Sequence, residues 1–249
     1  MEINYNNELI IQPEIVQSKI NNGYKFDIGR YLNEGWEIFK KEWLTFSIYS
    51  LLYMLIVFFD TITIIGIFFV AYPLLLGYFI GAHRVKTGQT LSLGDMFGGF
   101  KNLSQVALLT LIPVLVMSIF FAPFLLLGIF DADDFSSGFV APTGALLMYS
   151  VTPIVGILLS MVLFFAPYLV VFGNYSAIDA IKTSWSLSIK QPLMIILFVI
   201  LINFVAQFGI FFCLVGVFVS MAFAYICYYP AIMDVLYDET NQNEIKSLE

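Results

Sequence analysis

Four long stretches of the chain are almost free of charge. Residues 43 to 82 carry one ionised side chain, Asp60, and residues 103 to 130, 145 to 173 and 191 to 233 carry none. A helix crosses the hydrocarbon core of a bilayer in about 20 residues. The two middle stretches therefore fit one crossing each, and the outer two fit a pair joined by a tight turn. Neither LTFSIYSLLYMLIVFF nor MIILFVILINFVAQFGIFF alternates apolar and polar residues as a barrel strand would. Helices must satisfy the backbone inside lipid. Composition agrees: of 249 residues 60% are hydrophobic and 12% charged, against about 45–50% and about 25% in a soluble domain. The fold class expected is an all-α, polytopic membrane protein with six transmembrane helices in three hairpin units, each unit preceded by an amphipathic interfacial helix.

The expected spans are about 43–60, 62–84, 103–130, 145–172, 192–211 and 214–236. The first turn falls near Asp60-Thr61 or Gly66, and the third within Gly209 to Gly216. A polar N-terminal segment, 1–26, precedes the membrane domain, 27–237, and an acidic tail, 238–249, follows it. The first 26 residues lack an apolar stretch with a small-residue cleavage site, so no signal peptide is expected to be removed. All eleven basic residues fall before residue 43, between spans two and three, between spans four and five, or in the tail. The other connections have none, and DADDFSSGFVAPTG at 131–144 has three aspartates. The positive-inside rule then places both termini in the cytoplasm.

Three segments on that side read as interfacial helices, at 27–42, 94–102 and 176–190. In the first, Ile28, Leu32, Trp36, Phe39 and Trp43 recur at helical spacing opposite charged residues, after Asp27 as N-cap. The third carries Ile178, Ile181, Trp185 and Ile189, with Ser176 and Asp179 in a capping-box-like pattern. The second offers Ser92 and Asp95 as a cap, weakened by three glycines. Trp36, Trp43 and Trp185 suit the headgroup level as anchors. The unit repeats: Trp36 to Leu44 aligns without a gap to Trp185 to Leu193, and an aromatic beside a proline recurs at Tyr72-Pro73, Pro167-Tyr168 and Tyr229-Pro230.

Groups that could carry chemistry are sparse. His83 is the single histidine and reads as a polar helix-end residue, so no multi-histidine metal site can be built. Cys213 and Cys227 have no metal or redox spacing, and the acidic 131–134 cluster lacks a calcium-loop pattern. No nucleophile elbow or phosphate loop is present, and no basic block could hold nucleic acid. Catalytic residues, metal ligands and a cofactor are therefore not expected. Six prolines, Pro73, Pro113, Pro123, Pro153, Pro167 and Pro230, would kink spans. Gly77 and Gly81 form a GxxxG pair for close helix approach. Asn203 and Gln207, spaced i, i+4 in the fifth span, share one face, where they suit either helix packing or contact with a polar substrate group.

PYLVVFGNYSAIDAIKTSWSLSIK at 167–190, with GWEIFKKEW and YYPAIMDVLY, resembles a broad family of uncharacterised bacterial six-helix integral membrane proteins, which is similar to the membrane domain of glycerophosphodiester phosphodiesterases. The soluble phosphodiesterase domain of such enzymes has no counterpart here, so the resemblance implies an accessory role without hydrolase activity. Two function classes follow. One is a non-catalytic accessory or scaffold component that engages membrane lipid, a membrane-protein partner or a second copy of the chain. The other is a transporter of a lipid-like or apolar small molecule, in which a polar cavity at Asn203 and Gln207 would be the sign. Reporter fusions after residues 90, 138, 183 and 245 should read cytoplasmic, external, cytoplasmic and cytoplasmic; an external reading at 90 or 183 overturns the topology.

Overall fold

The structure, a computed structural model, describes residues 9–63, 65–100, 103–126 and 143–237. Eleven α-helices follow one another among them: α1 (Pro13–Asn22), α2 (Ile28–Lys41), α3 (Trp43–Thr63), α4 (Ile65–Lys86), α5 (Leu103–Leu126), α6 (Thr143–Leu163), α7 (Ala166–Gly173), α8 (Ala177–Ser188), α9 (Pro192–Phe208), α10 (Cys213–Ile226) and α11 (Tyr228–Leu236). Two 3₁₀ segments, Leu93–Phe100 and Gly209–Phe212, lie between α4 and α5 and between α9 and α10. The protein is all-α and its long helices are apolar on every side. Among the described residues Leu103–Phe120, Ser150–Gly173, Pro192–Phe211 and Gly216–Leu236 are each long and apolar enough to cross a membrane, four crossings where six were expected of the chain, or five with the bent pair α2 and α3 counted as one. The first turn lies later than expected: helix continues past Asp60 to Thr63 and resumes at Ile65. The acidic 131–134 cluster and the 238–249 tail fall outside the described residues.

The aligned positions of the sequence repeat make the same backbone bonds. α2 meets α3 at 97°. At that corner the Glu42 N–H donates to Phe39 O at 3.2 Å, and the Glu42 carbonyl accepts the first bond of α3 from Phe46 N at 3.1 Å. At the aligned positions the Gln191 N–H donates to Ser188 O at 3.2 Å, and its carbonyl accepts from Ile195 N at 3.0 Å. The expected caps form as well: Arg30 N donates to Asp27 Oδ1 at 3.1 Å, and Asp179 N donates to Ser176 Oγ at 3.2 Å. The stripe residues divide between core and surface. In α2 the buried residues are Tyr31, Gly35, Ile38 and Phe39, while Trp36 and Trp43 stay 46% and 51% exposed. α8 buries Ala177, Ala180, Ser184, Leu187 and Ser188, a face of mostly small residues, and turns Ile178, Trp185 and Ile189 outward.

The prolines act unequally. α4 and α6 run on through Pro73 and Pro153, and Pro113 and Pro123 lie within α5. Pro167 and Pro230 each follow a division of the helix, between α6 and α7 and between α10 and α11. At the first division two serines of α8, one turn apart and fully buried, serve the interrupted ladder. Phe165 N donates to Ser184 Oγ at 3.1 Å, and Ser188 Oγ donates to Met161 O at 2.8 Å. Ser220 serves the turn after α9 in the same way: its hydroxyl donates to Ala206 O at 2.8 Å and accepts from Gly209 N at 3.2 Å. Unmade backbone bonds would be costly here because lipid offers no substitute.

The segment expected as the second interfacial helix is the 3₁₀ turn Leu93–Phe100, packed across α4. Its glycines disfavour an α-helix and permit close approach instead. A Cβ on Gly99 would overlap the Pro73 carbonyl, and one on Gly77 would overlap the Tyr49 hydroxyl and the Met96 carbonyl. The GxxxG face of α4 thus receives this turn and α3. Asp95 accepts from Ser92 N and Oγ at 2.8 and 2.6 Å and pairs with the buried Arg84. The Tyr49 hydroxyl, shared between Leu74 O at 2.8 Å and Met96 O at 3.2 Å, completes the junction.

The N-terminal segment is a packed part of the bundle. Leu9, Ile11, Val16 and Phe26 are buried in the common core. Lys19 Nζ donates to Asp234 O at 3.2 Å, Tyr31 donates to Asp234 Oδ2 at 2.5 Å, and Arg30 pairs with the same carboxylate. Tyr24 donates to Leu187 O at 3.0 Å, and Tyr237 to Leu9 O at 2.8 Å. Burial and then the Asp234 carboxylate push the Tyr31 phenol above its ordinary value. It therefore remains a protonated donor at neutral pH. Burial alone would lower the Arg30 guanidinium, and the bond and charge of Asp234 outweigh it and raise it. Gly99→Ala should lower stability by about 1–3 kcal/mol through overpacking, whereas Gly156→Ala, with open space at its Cβ, should be neutral or up to about 1 kcal/mol stabilising; thermal unfolding in detergent measures both.

Candidate functional site, a tyrosine-lined chamber

A cavity of about 240 Å³ lies between helices from all three expected units. α4 supplies Tyr72, Leu75 and Leu76; α6, α7 and their division supply Ser160, Leu163, Phe164, Pro167 and Tyr168; α9 supplies Val199 and Asn203; Tyr225 and Tyr228 come from α10 and α11. The sequence places these residues together for a local reason. Each second span carries an aromatic beside its proline, and Tyr72 and Pro167-Tyr168 line the chamber directly, while Tyr228 precedes Tyr229-Pro230. The helix division before Pro167 turns Phe164 and Tyr168 toward α4 and α11: Phe164 stacks on Tyr228 at 5.5 Å between ring centroids, and Tyr168 on Phe79 at 5.0 Å.

The chemistry of the lining is uniform. Among the described residues it holds no carboxylate, lysine, arginine or histidine. Its polar groups are four phenols, one serine and one amide. Ser160 Oγ donates to Ile157 O at 2.7 Å, and Asn203 Nδ2 donates to Val199 O at 2.8 Å. Among the described residues the hydroxyls of Tyr72, Tyr168, Tyr225 and Tyr228 have no hydrogen-bond partner, although Tyr168 is only 9% exposed. Asn203 is the exposed member of the lining, and the others are buried or half-buried, so the mouth lies on the flank of α9. Asn203 follows Pro192 by 11 residues in α9, about 16 Å at about 1.5 Å per residue. That is about half the ~30 Å thickness of a hydrocarbon core.

Of the residues singled out from sequence, Asn203 and Pro167 reach the chamber. Gln207 is exposed one turn further along α9 and is not part of the lining. Asn203 Nδ2 bonds the Val199 carbonyl of its own helix. Trp36, Trp43 and Trp185 all sit at the surface, and Trp36 packs edge-on against Phe223 at 5.4 Å. His83 is buried, 3.1 Å from Nδ1 to the Tyr229 hydroxyl. Among the described residues no three His, Cys, Asp or Glu side chains gather as a metal site would require. The tyrosines were missed as site residues, although the recurring proline-aromatic pairs were the signal for two of them.

No protein-family model, characterised protein or solved structure matches the chain. The resemblance to six-helix bacterial membrane proteins thus gains no family assignment. The level that stands is a helical, multi-span membrane protein without an evident catalytic cluster. The chamber also separates structural from spare hydroxyls. Tyr49→Phe should cost about 1–2 kcal/mol by abandoning its bonds to the Leu74 and Met96 carbonyls, and Tyr168→Phe should leave stability unchanged; equal losses in thermal unfolding would show that the Tyr168 hydroxyl has a structural partner.

Proposed function

We propose that the chain is a non-catalytic protein of the bacterial cytoplasmic membrane that spans it six times, with both termini cytoplasmic, and holds a lipid-like molecule in the chamber as an accessory or scaffold component. The observation that carries the binding reading is the chamber itself: a half-open, mostly apolar space with a few convergent polar groups, which is how small-molecule sites are built.

Six crossings are supported by where the basic segments meet. Lys19 and Arg30 contact Asp234 at the end of α11, and Tyr24 contacts both Leu187 and Gln191 beside α8. Gln105, at the start of α5, accepts from Ala177 N at 3.0 Å, joining α5 to the start of α8. Segments that come together at one end of a bundle must be separated by an even number of crossings. α3 and α4, of 21 and 22 residues, provide the first pair. The 97° corner between α2 and α3 suits a helix in the membrane plane joined to one along the normal. The outward Trp36, Trp43 and Trp185 suit headgroup anchoring.

Transport of the same class of molecule is the second reading. It is favoured by a chamber at mid-depth beside helices divided at Pro167 and Pro230, since broken helices commonly line transporter sites. The exposed apolar flanks of α5 and α9 offer surface to lipid, a membrane-protein partner or a second copy. Native mass spectrometry of protein extracted with its own lipids should find one retained molecule per chain. Asn203→Leu should weaken retention several-fold, and Gln207→Leu should not. Absence of any retained molecule would refute the binding reading, and stoichiometric iron or zinc would refute the non-catalytic one.

A further inference from the structure

The chamber's polar groups are hydrogen-bonding and uncharged, and the described cations nearest in kind are committed elsewhere. Arg84 is paired with Asp95 and Arg30 with Asp234, both at the end of the bundle where the N-terminal segment and the 3₁₀ turn pack. No charged side chain among the described lining residues would neutralise an ionised phosphate or carboxylate head held beside Asn203, and charge within the bilayer is costly. Four phenolic hydroxyls without partners present the opposite demand. Each is a donor that gains by meeting an oxygen acceptor.

Size and access add two constraints. At about 240 Å³ the space is smaller than the ~300–1,000 Å³ of sites that enclose a whole drug-sized ligand. A head fits, and a long tail must remain outside. The mouth at Asn203 lies between Ile200 and Phe204, which are 49% and 63% exposed and continue the apolar flank of α9. Building on the lipid-binding reading above and narrowing it, we infer that the chamber takes the uncharged, oxygen-bearing head of an amphiphile, accepted by the tyrosine hydroxyls, with the apolar tail leaving past Asn203 into the surrounding lipid.

The test uses the full chain in vesicles with two photoreactive probes of identical acyl chains, a diacylglycerol and a phosphatidic acid, each bearing a diazirine close to the head. Cross-linked peptides are mapped by mass spectrometry. The diacylglycerol should label Tyr72–Leu76, Pro167–Tyr168 and Tyr225–Tyr228 at least tenfold more than the phosphatidic acid. The double variant Tyr168→Phe with Tyr228→Phe should lower that labelling at least threefold while labelling of Phe204 to Phe211 on the outer flank is unchanged, which shows that the protein remains folded. Equal or stronger labelling by phosphatidic acid overturns the uncharged head and leaves lipid binding intact. Undiminished labelling of the double variant overturns the role of the hydroxyls. A chamber labelled by neither probe, in protein that still retains native lipid, overturns the chamber as the binding site; loss of both removes the functional reading as well.

Discussion

A helix in lipid must satisfy its own backbone, and most of this structure can be understood from where that rule is broken. The chain interrupts its apolar helices at Glu42, at Phe164-Phe165, at Gln191, after Phe208 and at Cys227. An interruption inside the bundle, as at Phe165, frees peptide groups that lipid cannot hydrate. At the two elbows the corner residue supplies both a donor and an acceptor, so α2 and α8 can turn into α3 and α9 with the ladder nearly continuous. At Phe165 and Gly209 serine hydroxyls from other helices take over. The small buried face of α8 follows from this, because only a close-packed helix brings Ser184 and Ser188 within reach of the divided span.

How much of this was legible depended on the kind of signal. The charge-free runs marked every long helix, since lipid imposes one simple composition on all of them. Caps at Asp27 and Ser176 were equally readable because a cap is decided within four residues. The buried faces of α2 and α8 were not. Outside the membrane an apolar stripe marks the core, but next to lipid the stripe can face outward, and Ile178, Trp185 and Ile189 do so. The glycine-rich 93–100 turn was hard to read for a related reason. Its glycines look like weak helix formers until Pro73, Leu76 and Ile80 of α4 supply the surface against which Gly98 and Gly99 pack. The N-terminal segment was opaque because its burial depends on partners such as Asp234 and Tyr237, more than 200 residues away.

The site shows the same division. Asn203 could be singled out because a polar residue in an apolar helix is conspicuous. Its partners could not, because tyrosine is common throughout the chain and most tyrosines serve packing: Tyr49 and Tyr78 lie edge to face at 4.9 Å, with Tyr78 bonded to Ser50. Only the tertiary arrangement separates these from Tyr168 and Tyr228. The repeat makes the convergence intelligible. If three similar hairpins each place an aromatic beside a proline in the second helix, any arrangement about a common axis brings those positions toward one another.

The cap formed by residues 9–26 has a consequence for the order of assembly. Leu9 and Lys19 are bonded to Tyr237 and Asp234, among the last described residues of the chain. During synthesis the first segment therefore emerges long before these two partners exist, and those bonds must wait until every intervening hairpin is inserted. Its docking is a closing step in biogenesis, with loop-closure entropy met only once the hairpins between have been compacted. A ribosome stalled before α11 would thus leave that end of the bundle open, with Phe26 and Phe198 deprived of the Tyr228 ring that completes their aromatic cluster.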